Sequence, residues 1–589
     1  MLRTHTCGQL TKADVGSTIT LCGWVHRRRD HGGLIFIDLR DRYGFTQIVF
    51  DPKDKELFAK AERVRPEWVL KVTGDVTKRL EGAAREDNPT GAIEVRVAEI
   101  TVLNEAKTPP FEIDQDKGVA EELRLEYRYL DLRRERMRKN MVTRHSMIQR
   151  IRRFFYDRDF LEVETPILIK GTPEGSREYL VPSRLYHGQF YVLPQSPQQL
   201  KQLTMVAGLD RYMQIARCFR DEDQRGDRQP EFTQVDVEMS FCEPEDIMQL
   251  TEECLIELTR EIRPDVRIAA TPFPRFTYKE AMERYGSDKP DIRFDLCFTD
   301  VSALCKGCGF GVFHKAVEAG GVVKAMRVPG GAKFSRKDID DLTETAKIYG
   351  AKGLAWIKVA ADGYEGVPVD KLGMDMTKSI ADAAGAQPGD ILLFTADAFS
   401  VACTSLGAVR TALGNRLGLA DPTLFAYCWV NEFPMFEKDA QTGAIAAVHH
   451  PFTRPLHEDR HLLDSADPLQ ARAVAYDIVL NGSEIGGGSM RIHESDLQAQ
   501  IFKILQIAPA DAERRFSHLL RAFQYGAPPH GGIAWGVDRI VMLFCSEPNI
   551  REVIAYPKDQ KAKDLMLGSP SAMPEEQIQE LGIAIREEE

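Results

Sequence analysis

The chain has 589 residues, of which 43% are hydrophobic and 28% are charged, and its formal net charge is −12. This length exceeds what one hydrophobic core supports, so the sequence predicts several domains. The acidic balance argues against a generally basic nucleic-acid coat, although it leaves room for a local basic face.

Cysteine usage and the N-terminus indicate a compartment. The eleven cysteines are an odd number scattered along the chain, which is typical of a reducing environment and not of a disulfide framework. The N-terminal run MLRTHTCGQLTKADVG has no apolar stretch, and no run elsewhere is long enough to span a bilayer. We therefore predict a cytoplasmic protein with no membrane partner.

Residues 1–104 have the composition of a small β domain. Five runs alternate like strands, at 19–26, 34–40, 46–50, 69–77 and 93–103. A helical pattern at 54–64 lies between the third and fourth runs. Five short strands with one helix after the third predict an OB-type β-barrel.

The second of these strands turns its aliphatic side chains to one face and leaves Phe36 on the polar face. An arginine tract at 27–29 precedes it, and residues 1–104 hold 17 Lys and Arg against 15 Asp and Glu. A nucleic-acid base stacked on Phe36, with phosphates nearby, would use both features. An exposed aromatic ring beside a solubilising edge explains them equally well from these residues alone.

Residues 105–135 begin with a proline-containing linker and continue as a charged run that predicts a helical hinge. An amphipathic helix is expected at 144–155. It is followed by the stretch FLEVETPIL, in which Pro166 interrupts an apolar strand. Because proline in sheets is confined to edges and bulges, we expect an edge strand here, either at a subunit interface or exposed in the ordinary way.

Residues 212–238, YMQIARCFRDEDQRGDRQPEFTQVDVE, show two alternating runs around a charged loop, the pattern of an antiparallel hairpin. Residues two apart share a face. One face therefore gathers the polar side chains of Gln214, Arg220, Glu222, Gln234, Asp236 and Glu238. This is either a solvated outer face or a site that binds an anion and an ammonium together, because burying such groups unpaired would be costly.

The residue composition changes between residues 285 and 418, where small residues and several strand and helix signals predict an inserted α+β domain. Its single CxxC pair, Cys305 and Cys308, has no second pair at metal spacing, so we expect buried thiols and not zinc ligands. Residues 419–589 again resemble the region before 285 in composition, and they contain an apolar helix-like run at 531–544. The predicted fold class is α+β with several domains.

Three stretches in this order resemble the signature motifs of class II aminoacyl-tRNA synthetases: FLEVETPIL with Pro166, the hairpin with RDE at 220–222, and GVDR at 536–539. With an OB-type domain in front, the closest resemblance is to bacterial aspartyl-tRNA synthetases, over essentially the whole chain. It implies a homodimer and these parts: an anticodon-binding domain at 1–104, a hinge at 105–135, an antiparallel-sheet catalytic domain at 136–284 and 419–589, and the inserted domain at 285–418.

The resemblance implies that the α-carboxylate of L-aspartate attacks ATP to give aspartyl-adenylate, and that the aspartyl group then passes to tRNA(Asp). A carboxylate is already a nucleophile, so catalysis needs positioning and cations on the phosphates. Asp477 and Glu484 would hold Mg²⁺, which takes hard oxygen ligands. The resemblance assigns contacts with ATP to Arg220, Asp221, Glu222, Gln229, Glu484, Gly536, Val537, Asp538 and Arg539.

A second set of residues would select the amino acid. Lys201 and Arg491 would face the side-chain carboxylate of the substrate, and asparagine would then leave buried positive charge unpaired. Asp236 suits the substrate ammonium. The resemblance assigns contacts with aspartate to Glu174, Ser196, Gln198, Lys201, Arg220, Asp236, His449 and Arg491.

The resemblance also assigns tRNA contacts to the N-terminal domain, where the anticodon-reading residues would be Arg29, Phe36, Gln47 and Glu94. His31 and Gly82 resemble the enzymes that charge both tRNA(Asp) and tRNA(Asn), since strict enzymes tend to carry a larger apolar residue and Lys there. A glycine could remove a contact that rejects the wrong anticodon base. Drift in a loop would explain the same residues.

Other interpretations predict different residues. A synthetase for asparagine or lysine would lack the pairing of Lys201 with Arg491 and the large insertion. A non-catalytic tRNA-binding paralogue would have lost Arg220, Glu484 or Arg539, and all three are present. An ammonia-dependent asparagine synthetase on the same catalytic fold would not need an anticodon-type domain. The sequence favours an aspartate–tRNA ligase that charges both tRNA(Asp) and tRNA(Asn), with a strictly tRNA(Asp)-specific enzyme as the first alternative and the non-catalytic paralogue as the second.

Overall fold

The computed structural model describes residues 1–80, 82, 84–86, 88–115, 118–171, 176–224, 226–439 and 442–586. The chain forms two compact units, Met1–Val142 with Ile554–Ser571 and Thr143–Val553 with Ala572–Glu589. In this described part, no helix combines the length and the apolar character needed to cross a lipid bilayer.

The first unit begins with the predicted barrel. Its elements are β1 (Thr18–His31), β2 (Leu34–Asp41), β3 (Gly44–Phe50), α1 (Lys55–Arg63), β4 (Val69–Lys78) and β5 (Ile93–Asn104). The strands close in the order β1-β2-β3-β5-β4, which confirms the OB-type architecture. Strand β1 runs five residues past its predicted end at 26, because a bulge between Val25 and Arg27 lets it keep pairing with β2 as far as His31.

Alternation along β2 decides which side chains fill the barrel. Ile35, Ile37 and Leu39 are buried in its core, while Phe36 on the opposite face is half-buried. Asp38 lies on that same outer face and is nevertheless buried. Polar groups on the outer face of β2 are therefore held by neighbours, as described below.

Three helices follow the barrel: α2 (Glu121–Glu126), α3 (Arg128–Asp131) and α4 (Glu135–Tyr156). The predicted helix at 144–155 lies inside α4. The carboxylate of Asp131 is fully buried and pairs with Arg124 and Arg128, and the Arg128 guanidinium also donates to the carbonyls of Ile554 and Ala555. These bonds tie the returning C-terminal segment into the first unit.

The second unit opens with short strands around a long hairpin. Its first elements are β6 (Leu161–Glu162), β7 (Leu180–Pro182), β8 (Phe190–Val192), α5 (Gln198–Val206), β9 (Arg211–Phe219), β10 (Glu231–Ser240), α6 (Pro244–Ile262), β11 (Arg267–Ile268), β12 (Arg275–Thr277) and α7 (Tyr278–Tyr285). Strands β9 and β10 pair antiparallel from Phe219 with Glu231 to Arg211 with Met239. The predicted hairpin is confirmed.

The insertion has a sheet of its own. Its elements are β13 (Phe298–Asp300), α8 (Ser302–Cys305), α9 (Gly311–Glu318), β14 (Val322–Val328), α10 (Arg336–Ile348), β15 (Ala355–Val359), β16 (Tyr364–Glu365), α11 (Val369–Leu372), α12 (Met374–Ala383), β17 (Ile391–Asp397) and α13 (Phe399–Leu417). The strands run in the order β13-β14-β17-β15-β16. Cys305 and Cys308 are buried in one of its two cores, as expected for structural thiols.

The remaining elements complete the second unit. They are β18 (Leu424–Phe425), β19 (Tyr427–Asn431), β20 (Phe436–Lys438), β21 (Ile445–Ala447), β22 (Ala475–Leu480), β23 (Ser483–Met490), α14 (Ser495–Ile504), α15 (Pro509–Phe523), β24 (His530–Gly536), α16 (Val537–Phe544) and α17 (Glu575–Glu580). The predicted helix-like run at 531–544 is thus half strand and half helix, because residues 530–536 pair with β10 and β23 in the sheet and α16 begins at Val537.

One eight-stranded sheet organises this unit, in the order β12-β19-β22-β23-β24-β10-β9-β6. Its central strands are antiparallel. Strand β6 lies at one end, which confirms the edge strand predicted before Pro166. The predicted domain limits at 104, 135, 284 and 418 stay predictions, since the compact units end elsewhere.

Candidate active site

A cavity of about 820 Å³ lies over the central strands of the eight-stranded sheet. It collects most of the residues that the sequence assigned to aspartate and ATP. The predicted residues on its surface are Ser196, Gln198, Arg220, Glu222, Gln229, Asp236, His449, Asp477, Glu484, Gly536, Asp538 and Arg539. Lys201, Arg491, Asp221 and Val537 are not among the lining residues, and Glu174 lies outside the described residues.

The polar face of the β9–β10 hairpin is buried. Gln214 pairs across the strands with Asp236, and Gln234 and Glu238 lie on the same face. Asp236 and Glu238 are both 0% exposed. The alternative of a solvated outer face is therefore wrong for this part of the hairpin.

Lys201 neutralises part of this face from helix α5. Its Nζ lies 3.0 Å from Asp236 Oδ1 and 3.4 Å from Glu238 Oε2, and its side chain is 1% exposed. Burial raises the pKa of Asp236, against the lowering effect of the Lys201 charge. The lysine thus holds two acids in place behind the cavity surface.

Arg491 makes the second buried pair. Its Nε and Nη2 donate to the two oxygens of Glu238 at 2.9 and 3.1 Å, and Nη1 donates to Ser489 Oγ at 2.6 Å. Although burial opposes ionisation, the charges of Arg491 and Lys201 hold the pKa of Glu238 below its usual value. Such a bidentate pair fixes the plane of the guanidinium.

His450 completes the surroundings of Arg491. Its Nε2 lies 2.7 Å from Arg491 Nη1, so this nitrogen must be unprotonated and accept the bond. Burial, and then the Arg491 charge, hold the pKa of His450 well below its usual value. Sequence reasoning missed His450, and it placed Glu238 on the polar face without giving it a role. Their positions beside two predicted residues, His449 and Asp236, were the available signal.

The structure corrects the expected basis of amino-acid selection. We expected asparagine to leave Lys201 and Arg491 as unpaired buried charges, but both are already paired with Asp236 and Glu238. As a group these four residues are neutral. Arg220 adds one positive charge at the cavity surface. These five residues together therefore carry one positive charge in excess.

Several buried polar atoms around the cavity make no hydrogen bond to a described residue. The buried atoms without a hydrogen-bond partner among the described residues include Asp236 Oδ2, Gln198 Nε2, Arg220 Nε and His449 Nδ1. Orphaned buried polar atoms each cost stability, so native proteins seldom leave them without a use. One acceptor, two donors and one imidazole nitrogen gathered at one cavity fit a ligand with both ammonium and carboxylate groups.

The nucleotide end begins at the tip of the hairpin, next to Arg220, which borders both ends. The Arg220 guanidinium lies 5.1 Å from the centre of the Phe232 ring. Glu222 accepts from Arg228 at 2.8 Å and from the hydroxyl of Ser176. Gln229 is buried at the same wall. Asp221 instead pairs through its backbone with Arg177, away from the cavity surface.

The turn from β24 into α16 brings Arg539 to the cavity. The Arg539 guanidinium donates to the carbonyl of Glu484 and to Asp227 Oδ2 at 3.1 Å. The carboxylate of Asp538 is occupied differently, since it accepts from the backbone N–H of Thr233 at 2.9 Å and from Arg144. Val537 is buried in the core. Asp538 and Val537 therefore anchor this turn, and Arg539 presents its charge to the cavity.

Asp477 and Glu484 converge from neighbouring strands. A Cβ added at Gly487 would lie 2.6 Å from Asp477 Oδ1 and 4.0 Å from Glu484 Oε1, so a side chain at 487 would displace the Asp477 carboxylate. Burial, and then the charge of Asp477, raise the pKa of Glu484. In the described part of the chain, no group of three or more His, Cys, Asp or Glu residues could hold a metal alone. Two acids fit Mg²⁺ if phosphate oxygens complete its ligands.

The four predicted anticodon residues lie together on the outer face of the barrel. Arg29 Nη2 donates to both oxygens of Asp38, at 3.0 and 3.1 Å, and to Gln47 Oε1 at 3.3 Å. Gln47 Nε2 then donates to Glu94 Oε2 at 2.9 Å. Phe36 pairs across the strands with Arg29. Sequence reasoning missed Asp38, which links the arginine to the glutamine.

The two residues predicted to govern tRNA range are exposed. His31 ends β1 at the turn into β2. Gly82 has a φ of +81°, and no atom of the described residues lies within 4 Å of an added Cβ. A side chain at 82 would have space but would strain the backbone at this φ. Both positions can therefore meet a partner without moving other residues.

An N-terminal OB-type barrel, and an antiparallel sheet with cations and paired acids over its centre, are the parts expected of a class II aminoacyl-tRNA synthetase. The chain belongs to this family: the model described as tRNA synthetases class II (D, K and N) matches residues 120–560, and the model of the OB-fold nucleic acid binding domain matches residues 19–103. Class II synthetases use ATP as a substrate.

The chain is similar to curated relatives over its full length. It is 54% identical over 583 residues to the aspartate–tRNA(Asp/Asn) ligase of Rubrobacter xylanophilus, covering 99% of this chain and 97% of the relative. It is 52% identical over 587 residues to the aspartate–tRNA(Asp/Asn) ligase of Bacillus subtilis, covering 99% of each.

Solved structures show the same fold at low sequence identity. The asparaginyl-tRNA synthetase of Pyrococcus horikoshii, complexed with asparaginyl-adenylate, aligns with a TM-score of 0.59 and 20% identity over 95% of this chain and 98% of its own. The aspartyl-tRNA synthetase of Entamoeba histolytica aligns with a TM-score of 0.57 and 18% identity over 94% and 91%. The predicted architecture is confirmed.

Proposed function

We propose that the protein is an aspartate–tRNA(Asp/Asn) ligase that activates L-aspartate with ATP and transfers it to tRNA(Asp) and to tRNA(Asn). The carrying observation is the single excess positive charge of the cavity end built on Lys201, Asp236, Glu238, Arg491 and Arg220. Aspartate has one ammonium and two carboxylates, so its net charge of minus one neutralises the excess positive charge of these residues. Asparagine has no net charge and would leave that positive charge without a partner, which weakens its binding.

The cavity orients aspartate by charge. The free Oδ2 of Asp236 accepts from the substrate ammonium. Lys201 and Arg491 keep their partners Asp236 and Glu238, and their charges attract the side-chain carboxylate from behind the cavity surface. Arg220 then lies on the side of the α-carboxylate and its planar fork suits a phosphate oxygen as well. The α-carboxylate oxygen bonds to the α-phosphorus of ATP while the bond to the β-phosphate oxygen breaks, giving aspartyl-adenylate and pyrophosphate.

The nucleotide end stabilises the charge that leaves. Arg539 exchanges its contact with Asp227 for the terminal phosphate, and Gln229 and Glu222 border the nucleotide. Asp477 and Glu484 would hold Mg²⁺, which would neutralise charge on the triphosphate. Positioning and electrostatic stabilisation supply the catalysis, since the nucleophile needs no activating base.

The barrel is proposed to read the anticodon. Phe36 offers a ring for a base, and the hydrogen-bonded row of Arg29, Gln47 and Glu94 offers donors and acceptors beside it. His31 and Gly82 accommodate both anticodons because neither presents a long apolar or basic side chain. These roles rest on the resemblance and on the clustering of the residues.

Two further features belong to this proposal. The chain forms a homodimer through the edge of the sheet, where Leu161, Ile167 and Leu168 are 51%, 45% and 52% exposed. It works in the cytoplasm, in keeping with eleven cysteines that are all free thiols.

The test is aminoacylation with aspartate on separate transcripts of tRNA(Asp) and tRNA(Asn). We expect both to be charged, and we expect Phe36→Ala to raise KM for either tRNA about tenfold or more, the worth of one stacked base. Tyr43→Ala, which removes another exposed ring of the same barrel, is the matched control. Charging of tRNA(Asp) alone would make this a strict enzyme, and charging of neither would refute the proposal.

A further inference from the structure

The insertion meets the catalytic cavity at its first segment. Residues 287–291 lead from α7 towards β13, and Asp288 lines the cavity together with Tyr278, Glu484 and Arg539. The Asp288 carboxylate is half-buried and has no hydrogen-bond or ion-pair partner among the described residues. A carboxylate without a partner on the wall of the cavity is available to attract a cation that is bound there.

The segment is fixed against the strands that carry the acid pair. An added Cβ at Gly482, in the turn between β22 and β23, would lie only 3.1 Å from Asp291 Cβ. The Arg293 guanidinium grips Asp291 with bonds of 2.6 to 3.2 Å. The segment therefore lies directly against the turn that leads into Glu484.

A buried arginine of the insertion holds the other side of this segment. Arg410, on α13, is 2% exposed, and its Nη2 lies 2.7 to 2.9 Å from the carbonyl oxygens of Asp291, Phe294 and Asp295. Its guanidinium also lies 4.2 Å from the centre of the Phe294 ring. Because one buried guanidinium donates hydrogen bonds to three backbone carbonyls of this loop, it fixes the path of the loop.

Close backbone contact supports the same joint. An added Cβ at Gly407 of α13 would lie 2.4 Å from the carbonyl oxygen of Gly286, the residue that ends α7. Helix α13 therefore lies directly against the start of the segment, and any larger residue at 407 would push the two apart.

The segment carries two opposite charges next to each other. Asp288 lines the cavity, and Lys289 is the exposed residue beside it. A triphosphate with its divalent cation presents both signs of charge. An ammonium and a carboxylate next to each other on the wall match that pair.

We propose that the insertion positions one wall of the nucleotide site: α13, through Arg410, holds residues 285–295 so that Lys289 attracts the triphosphate and Asp288 attracts its divalent cation. This inference rests on the proposed function, and it gives the inserted domain a role in ATP binding. Arg410 is a positioning residue, because it touches neither substrate.

The test uses the full-length protein and measures ATP binding without aspartate, by titration calorimetry in the presence of Mg²⁺. Lys289→Ala is expected to weaken ATP binding about tenfold, the worth of one contact with a charged group. The matched control is Lys337→Ala, an exposed lysine on α10 of the same domain. Equal ATP affinities for wild type and Lys289→Ala would overturn the proposal.

Two further variants distinguish the role of the segment at 285–295 from the role of Arg410, which holds it. Asp288→Asn is expected to raise the Mg²⁺ concentration for half-maximal ATP binding about threefold, with Asp341→Asn as control. Arg410→Lys keeps the charge but loses the fork, and should weaken ATP binding while KM for aspartate stays within about twofold. A folded Arg410→Lys protein that binds ATP normally would refute the positioning role.

The two proposals fail in different ways. Absence of aspartate-dependent pyrophosphate exchange in the wild type would refute the proposed function, while ATP titration would still report on the wall. Normal exchange in the wild type, with unchanged ATP binding in Lys289→Ala and Asp288→Asn, would refute the wall alone.

Discussion

The two ends of the catalytic cavity are built from the same residue types in opposite ways. At the aspartate end, Lys201 and Arg491 are 1% and 3% exposed, and their acidic partners are fully buried. At the nucleotide end, Arg539 is 26% exposed and its partner Asp227 is 48% exposed. One end is sealed and the other is open to solvent.

This difference in burial suits the two ends to different tasks, which are selection of the amino acid at the sealed end and entry and release of phosphate at the open end. A buried ion pair costs desolvation and gives little net stability, but removal of one partner leaves a charge that the protein cannot solvate. Such a site tolerates a substrate of one charge only. An exposed pair contributes little and is easily replaced, which suits a phosphate that must enter and leave in every cycle.

Arg491→Leu is expected to have the largest effect, because it leaves Glu238 buried without its bidentate partner. We expect aspartate-dependent pyrophosphate exchange to fall about a thousandfold, with little change in ATP binding. The free energy of unfolding should fall by about 3–5 kcal/mol. Denaturant titration and exchange kinetics measure both.

Arg460→Leu is the control for that variant, because it removes an arginine from a solvent-exposed ion pair. The side chains of Arg460 and Glu494 are 41% and 45% exposed. Its loss should cost less than about 1 kcal/mol. Unchanged aspartate-dependent exchange in Arg491→Leu would contradict the role given to the sealed end.

Arg539→Ala tests the open end. The KM for ATP should rise about tenfold to a hundredfold, because one charge-assisted contact with phosphate is lost. The free energy of unfolding should change by less than about 1 kcal/mol, in contrast to Arg491→Leu. If both arginines proved equally important for folding, the distinction between the two ends would be wrong.

His450 gives the sealed end a pH signature. Burial and the charges of Arg491, His449 and Lys201 hold its pKa well below the ordinary 6.5. The folded protein therefore binds this proton less readily than the unfolded chain, so stability is full above the ordinary pKa and falls as the pH drops below it. Between about pH 7 and about pH 5, His450→Asn should lose about 2 kcal/mol less than the wild type.

Denaturant titrations at the two pH values measure this difference, and His457→Asn, at an exposed position, is the control. Parallel losses in wild type and His450→Asn would mean that the imidazole is not held neutral against Arg491.

Asp227→Asn should produce the smallest effect. Asp227 competes with phosphate for Arg539 across 3.1 Å, so removing its charge should lower the KM for ATP about twofold to threefold, the scale of one exposed ion pair. Pyrophosphate exchange at varied ATP measures it. A raised KM would show that Asp227 assists the nucleotide.

Sequence alone predicted the parts of the fold that depend on local pattern. Alternation identified the barrel strands and the hairpin, and Pro166 identified the edge strand, because side-chain period and proline geometry act within a few residues. The strand and helix inside 531–544 were not separated, since an apolar run with glycines suits either element.

The sequence predicted many of the residues that line or lie behind the cavity, but it did not predict which residues pair with each other. The resemblance named Lys201 and Arg491, yet their pairing with Asp236 and Glu238 depends on strands far apart in sequence. The anchoring of Asp538 by Thr233 and Arg144 is likewise tertiary. Pair contacts of this kind follow from packing of the whole sheet, which no local pattern encodes.

The most direct test of charge-based selection compares aspartate with asparagine in ATP–pyrophosphate exchange by the wild-type protein. The one excess positive charge of Arg220 beside the neutral sealed group predicts that aspartate supports exchange at least about a thousandfold better in kcat/KM than asparagine. Comparable exchange with the two amino acids would contradict this selection, because a neutral side chain would then satisfy a site built for a carboxylate.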